Sequence, residues 1–328
     1  MTVSVAVDLE GGDGAPSVVV DGVKAALAQL DVRILAVGRS ESLALLDPHD
    51  RLELVEATEV ISMDEEPASS VRSKRDSSLV RCAELVRDKR AQATFSAGNT
   101  GAAMAAALFK MGRISKVARP AIVTPIPVPG STPTALLDSG ANAECSPSWL
   151  VQFAIMGSVY ATERLGIEFP KVGLLSIGEE KSKGNSLVKE THELLKQVRG
   201  INFIGNVEGR DVMSDRVDVV VADGFVGNVV LKTLEGAMKT AARAVLEALS
   251  SGEDGKEFAE KALQKLIPLL GELSADTYGG AALLGVDGLT LIGHGSSSPN
   301  AIVNGIATAV SLAEHDLVSR LRRAIAEG

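Results

Sequence analysis

Residues 3–38 read VSVAVDLEGGDGAPSVVVDGVKAALAQLDVRILAVG. Val3–Val7 is a short run rich in β-branched residues and mostly apolar, the pattern of a strand buried on both faces. A glycine-rich polar turn follows, and apolar residues then return at helical spacing from Val18 to Leu30. Val32–Val37 is a second strand of the same kind. Strand, glycine turn, helix, strand is a βαβ unit, whose two strands lie parallel with the helix packed across them.

The same order recurs along the chain. Further strand runs fall at Ala93–Ser96, Ala135–Leu137, Val172–Ser176, Asn202–Ile204, Val217–Val221 and Leu289–Ile292. Between them lie the helical stretches Ala102–Phe109, Leu150–Leu165, Ser186–Val198 and Val229–Leu249. The expected fold is α/β: a three-layer α/β/α, doubly wound, mainly parallel sheet of the Rossmann-like kind, read as one domain over residues 1–328. The expected elaboration is a helical hairpin at about residues 249–277, where Ser-Ser-Gly-Glu-Asp-Gly interrupts a long helix. Its second arm carries Phe258, Leu263, Leu266 and Ile267 at helical spacing, a face for a subunit, core or membrane contact.

Composition narrows the function. Of 328 residues 45% are apolar, 23% are charged and only 3% are aromatic, and the formal net charge is −9. That mix is globular; the negative charge and the scarcity of stacking rings argue against a nucleic-acid partner. Cys82 and Cys145 are far apart, with no paired spacing of metal ligands, which fits a reducing compartment. The opening MTVSVAVD lacks a basic region ahead of a long apolar run, and no apolar stretch reaches the roughly 18 residues of a membrane span, so the expectation is a cytoplasmic protein.

In such sheets ligands bind beyond the carboxyl ends of the strands. Seven strand ends lead into small, polar turns: Asp8–Gly14, Ser96–Gly101, Asp138–Asn142, Gly178–Asn185, Gly205–Asp211, Asp223–Asn228 and Gly293–Ser298. Glycine lets backbone amides approach an anion, and a helix starting just afterwards turns its free N–H groups toward it. Seven such turns, expected on one sheet edge, make an anion site; the plain alternative for each is turn formation and capping. Gly12-Asp13-Gly14-Ala15-Pro16-Ser17 nearly spells the dinucleotide fingerprint but lacks its third glycine, and no Walker A, nucleophile-elbow or HExxH sequence is present. A chemistry of orientation and charge stabilisation suits these turns better than an activated nucleophile.

Lys183, Asn228 and His294 are the candidate catalytic groups: a point charge for phosphate or an oxyanion, an amide donor to a carbonyl, and an anion ligand or proton carrier. A solvated lysine, a helix cap and a structural histidine are the corresponding bland readings. Asp8 and Asp223 are expected to fix turn amides. Between Val71 and Arg90 seven basic residues face three acids, a local reversal in an acidic chain that suits an acidic partner.

At these turns the chain resembles the phosphate acyltransferases of bacterial phospholipid synthesis, which move a fatty acyl group from acyl carrier protein to phosphate. The likeness runs from Val5 to about Asn304. It includes GGD-AP at Gly11–Pro16, SAGNTGA at Ser96–Ala102, QFAIMGSVYA at Gln152–Ala161, KGN-LVKE at Lys183–Glu190, NVEGRD at Asn206–Asp211, DGFVGNVVLKTLEG at Asp223–Gly236 and YGGA-LLGV at Tyr278–Val286. The sequence departs from the family pattern at Leu9-Glu10, Gly14 and Ala282. The resemblance implies a fold akin to isopropylmalate dehydrogenase and phosphotransacetylase, and transfer of a long acyl chain to inorganic phosphate with no metal or organic cofactor. The product, acyl phosphate, would serve a glycerol-3-phosphate acyltransferase. It further implies a homodimer, loose attachment to the inner face of the membrane through Phe258, Leu263, Leu266 and Ile267, and docking of acyl carrier protein on Arg72, Lys74 and Arg75. Phosphate and substrate are expected on Asp8, Gly11, Gly12, Asp13, Ser96, Gly98, Asn99, Thr100, Asn142, Asn185, Asp223 and Gly227, with Lys183 on phosphate and Asn228 and His294 on the thioester carbonyl. The competing readings are a short-chain acyl-coenzyme A:phosphate acyltransferase and a non-catalytic scaffold for acyl carrier protein or lipid.

Overall fold

The computed structural model describes residues 2–250, 262–264 and 275–327. The first part of the chain forms β1 (Val3–Asp8), α1 (Ser17–Gln29), β2 (Val32–Gly38), α2 (Ser40–Leu43), β3 (Leu52–Glu56), α3 (Pro67–Ser73), α4 (Ser78–Arg87), β4 (Ala93–Ser96) and α5 (Thr100–Lys110). The middle forms β5 (Ala121–Ile126), β6 (Thr134–Leu137), α6 (Pro147–Leu165), β7 (Lys171–Leu175), α7 (Ser186–Leu195), β8 (Asn202–Val207), β9 (Val219–Val221) and α8 (Gly224–Leu249). The remainder adds β10 (Ala281–Leu284), β11 (Leu289–Ile292), α9 (Pro299–Glu314) and α10 (Leu317–Glu327).

All strands join one 11-stranded sheet, ordered β3-β2-β1-β4-β11-β10-β5-β6-β9-β7-β8. One face carries α1, α6, α9 and α10 over Val5, Ile34, Phe95, Leu137, Leu174 and Val221. On the other, α4 covers Ala6, Leu35 and Val37, and α8 covers Leu136, Leu175 and Val220. This is the expected three-layer α/β/α arrangement, and seven of the ten neighbouring pairs are parallel.

The three antiparallel pairs change what the fold can do. They are β11–β10, β10–β5 and β5–β6, consecutive in the middle of the sheet. Three reversals in a row leave the block β6-β9-β7-β8 running opposite to the block β3-β2-β1-β4-β11. Their carboxyl ends therefore lie on opposite edges. Connection length explains two of the reversals: residues 127–133 and 285–288 are hairpin-sized links, too short for the crossover of a dozen or more residues that a parallel partner needs, while the third, β10–β5, joins distant segments and makes the reversals odd in number. The expectation of seven turns on one edge is thus corrected to three on one and four on the other. The proposed hairpin residues Phe258, Leu266 and Ile267 lie outside the described residues, as does nearly all of that elaboration; Leu263 falls within the described residues 262–264.

Candidate active site

The edge formed by β6, β9 and β7 gathers three of the predicted turns on adjacent strands, whose spacing of about 4.8 Å makes the turns neighbours. Asp138, fully buried, organises the first. Its carboxylate accepts from the N–H groups of Ile122 (3.0 Å), Gly140 (3.1 Å), Ala141 (2.9 Å) and Asn142 (2.8 Å), and from the Asn142 side-chain amide (2.9 Å). Asn142 also donates to the Pro120 carbonyl at 2.8 Å, so its side chain is engaged within the protein. The second turn is seated on the first: Gly224 N–H donates to the Asn142 carbonyl at 2.9 Å. A Cβ on Gly227 would lie 1.9 Å from the Asp138 carbonyl oxygen, so only glycine permits this approach. Asp223 caps α8 by accepting from Val226 N–H at 2.9 Å.

That fit delivers Asn228. A Cβ on Gly140, at φ +145°, would meet the Asn228 amide nitrogen at 2.8 Å, so the amide lies across a bare glycine. Among the described residues the Asn228 side chain has no hydrogen-bond partner, and it is exposed. The third turn, after β7, carries Lys183. Its backbone N–H donates to the Glu180 carbonyl at 2.9 Å, while Asn185 caps α7 by accepting from Val188 N–H at 2.9 Å. The Lys183 ammonium has no ion-pair partner among the described residues. The nearby Glu179 is held below the usual carboxylate range by Arg216 first, with Arg210 adding to it, so its charge is answered elsewhere.

An unpaired cation, an unpaired amide donor and the N-termini of α7 and α8 thus share one edge, an arrangement that favours an anion next to a polarised carbonyl. Apolar surface accompanies them: Ile177 is 83% exposed, Phe225 65% and Val229 51%. Cys145 also sits here, but burial pushes its thiol up to about 11, so it is protonated near neutrality and a poor nucleophile.

The opposite edge collects Asp8, Gly11, Gly12, Asp13, Ser96, Gly98, Asn99, Thr100 and His294. Asp8 is buried, accepting from Ser96 Oγ at 2.6 Å and Glu10 N–H at 3.0 Å, and desolvation raises its pKa. Gly11 and Gly98 pack backbone to backbone, and Asp13 N–H, one residue past Gly12, reaches the Gly295 carbonyl at 2.7 Å. The Asn99 side chain is spent internally, capping α5 at Ala102 and donating to the Met63 and Glu65 carbonyls. Thr100 is the exposed first residue of α5. His294 is exposed, and its Nδ1 accepts from Ser296 N–H at 3.2 Å. The structure does not bring His294 to Lys183 and Asn228 within a chain, because the sheet reverses between them; the three do not form the single cluster expected from the sequence.

Of the basic docking candidates, Arg72 lies with its guanidinium 5.0 Å from the centre of the Phe109 ring, and Arg75 is exposed. Lys74 is turned inward: it bonds Glu65 at 2.6 Å and the Val60 carbonyl at 2.7 Å, and with Ser62 and Ser70 it holds Glu65 down at about 2. The Lys74 charge is thus answered within the chain, unlike that of Arg72 or Arg75. Sequence reasoning passed over Asp138, Asn206 and Phe225, although each lies within or beside a stretch singled out for its turn.

The chain matches the family model described as "Fatty acid synthesis protein" over residues 3–320. It is 44% identical to the phosphate acyltransferase of Nostoc sp. PCC 7120 over 98% of this chain and 95% of that one. With the phosphate acyltransferase of Elusimicrobium minutum it shares 46% identity over 98% and 96% respectively. Among solved structures, the phosphotransacetylase of Streptococcus pyogenes superposes with a TM-score of 0.64 at 16% identity, covering 95% of this chain and 94% of that one, a likeness of fold.

Proposed function

The chain belongs to the fatty acid synthesis protein family, whose similar members are phosphate acyltransferases, and from that premise we propose that it moves a fatty acyl group from acyl carrier protein to inorganic phosphate at the Lys183–Asn228 edge. A phosphate oxygen forms the new bond to the acyl carbon, the carbon–sulfur bond breaks, and the carrier's sulfur leaves with the electron pair and takes up a proton. The obstacle is bringing an anion to a carbonyl that is itself becoming negative. Lys183 offsets the phosphate charge, and the free N–H groups at the starts of α7 and α8 add to the field. The Asn228 amide donates to the carbonyl oxygen as charge develops there. No covalent enzyme intermediate is required, in keeping with the protonated Cys145.

One observation carries this reading: Lys183 and Asn228, both without partners among the described residues, stand at neighbouring strand ends beside exposed Ile177, Phe225 and Val229. The apolar group favours a long-chain donor over a short-chain coenzyme A thioester. Mixing the protein with acylated carrier protein and orthophosphate should yield acyl phosphate. Lys183→Ala and Asn228→Ala should each lower turnover about 100-fold or more with unchanged melting temperature, the weight of one preorganised electrostatic group; full activity in both variants overturns the assignment. A thioester that stays intact whether or not phosphate is present would favour a binding scaffold instead.

The partner surface belongs to the same proposal. Arg72 and Arg75 receive the acidic carrier, and the product passes to an acyltransferase that uses glycerol-3-phosphate. Pairing of two chains is supported by α8, where only Gly224 and Gly227 are buried and Val226, Val229 and Val245 stand exposed. Among the described residues no helix is long and apolar enough to cross a membrane.

A further inference from the structure

The Lys183 loop is held by an unusual set of bonds. From Glu179 to Lys183 every residue is exposed, and Ile177 ahead of them points into solvent, so no apolar side chain in this stretch anchors it to the core. Apart from the surface ion pairs of Glu179 with Arg216 and Arg210, its fixed point is the Glu180 carbonyl. That oxygen accepts from the backbone N–H of Lys183 at 2.9 Å, closing the turn, and from the side-chain amide of Asn206 at 3.0 Å. Asn206 is itself buried at the end of β8, and its own carbonyl oxygen meets Nδ1 of His192 at 2.9 Å. Because Asn206 uses its nitrogen on Glu180, its oxygen must accept, which fixes the His192 proton on Nδ1. His192 is buried in α7 with its ring edge-on to Phe203, the centroids 5.3 Å apart. The same helix is capped by Asn185.

We infer that His192 and Asn206 are positioning residues for Lys183: a buried relay from α7 through β8 to the carbonyl that closes the Lys183 turn, setting where the ammonium stands relative to phosphate. The inference rests on the phosphate-holding role of Lys183 proposed above. Neither side chain touches substrate. Without the relay the turn stays chemically intact but samples many positions, and the ordering entropy then falls on phosphate binding. The effect should therefore appear in KM for phosphate more than in kcat.

The test is steady-state kinetics with acylated carrier protein and orthophosphate on Asn206→Ala, Asn206→Asp, His192→Ala and His192→Asn, with melting temperature followed in each. Asn206→Ala should raise KM for phosphate about ten-fold, the weight of one buried hydrogen bond, and Asn206→Asp should do the same because it loses the donor to Glu180. His192→Asn places an amide N–H where Nδ1 stood and should restore most of what His192→Ala loses. In the Lys183→Ala background, Asn206→Ala should add little further loss, since both act through one ammonium. If Lys183→Ala is inactive while Asn206→Ala keeps wild-type KM for phosphate, or if the two losses multiply, the relay is refuted and the Lys183 assignment stands. If Lys183→Ala is fully active, the proposed site itself fails. Where Asn206→Ala melts too early to assay, the His192→Ala and His192→Asn pair decides by the same KM comparison.

Discussion

Asp8 and Asp138 show how the same residue type at a strand end can sit in different hydrogen-bonding surroundings. Asp138 receives five donor contacts from four residues, whereas at Asp8 burial outweighs the hydrogen bonds from Ser78, Ser96 and Glu10 N–H and raises its pKa. A carboxyl whose folded pKa is raised binds its proton more tightly in the native state. Its contribution to stability is complete below its ordinary value of 3.8 and is lost as pH rises through the raised folded value. Asp8→Asn should therefore gain on the wild type as pH rises from about 4 toward neutrality, read by denaturant unfolding across pH; a flat difference contradicts a pKa raised by burial. Gly227 makes a steric prediction. Gly227→Ala forces its methyl against the Asp138 carbonyl oxygen, which belongs to the backbone and cannot rotate away. A loss of about 3 kcal/mol in unfolding free energy is expected, together with lower activity because Asn228 is displaced.

At the scale of elements, the segment Val71–Arg90 is less positive in three dimensions than in one. Lys74 pairs with Glu65, Arg81 with Asp76 and Glu84, Arg87 with Asp88, and Arg90 with Glu53, two of those acids lying outside the segment. Arg72 and Arg75 face outward without an acid partner among the described residues. Arg75→Glu should raise KM for acylated carrier protein about ten-fold at low salt and converge on the wild type at high salt, as a screened surface interaction does. Lys74→Glu should instead lower the melting temperature, because it puts two carboxylates in contact. The reverse pattern would restore Lys74 to the docking surface.

At the scale of the molecule, the reversal of strand direction decides which turns act together. His294 and Lys183 follow β11 and β7, five strand steps apart and on opposite edges. At about 4.8 Å per step the lateral separation alone exceeds roughly 20 Å. Spin labels at positions 183 and 294, diluted with unlabelled protein so that only pairs within one chain report, should therefore read more than about 20 Å. A shorter distance would mean that the two edges share one hollow after all.

The α/β class and three-layer arrangement were legible in the sequence because buried strands and amphipathic helices alternate with their own periods, and local pattern dictates local structure. The placement of Lys183 and Asn228, each where a strand end meets a helix start, was legible as well. The strand runs read directly from the sequence omitted β3, β5 and β10, and two of these, β5 and β10, belong to the antiparallel centre. β10 is only four residues long, and β5 carries Pro125, which obscures a strand signal. Direction in a sheet is a property of pairing between distant segments, and no single strand's sequence records it. Strand content and turn chemistry were therefore set by the chain itself, whereas the division of the seven turns between two edges, the inward fate of Lys74 and the relay from His192 to the Lys183 turn were decided only when those segments packed together.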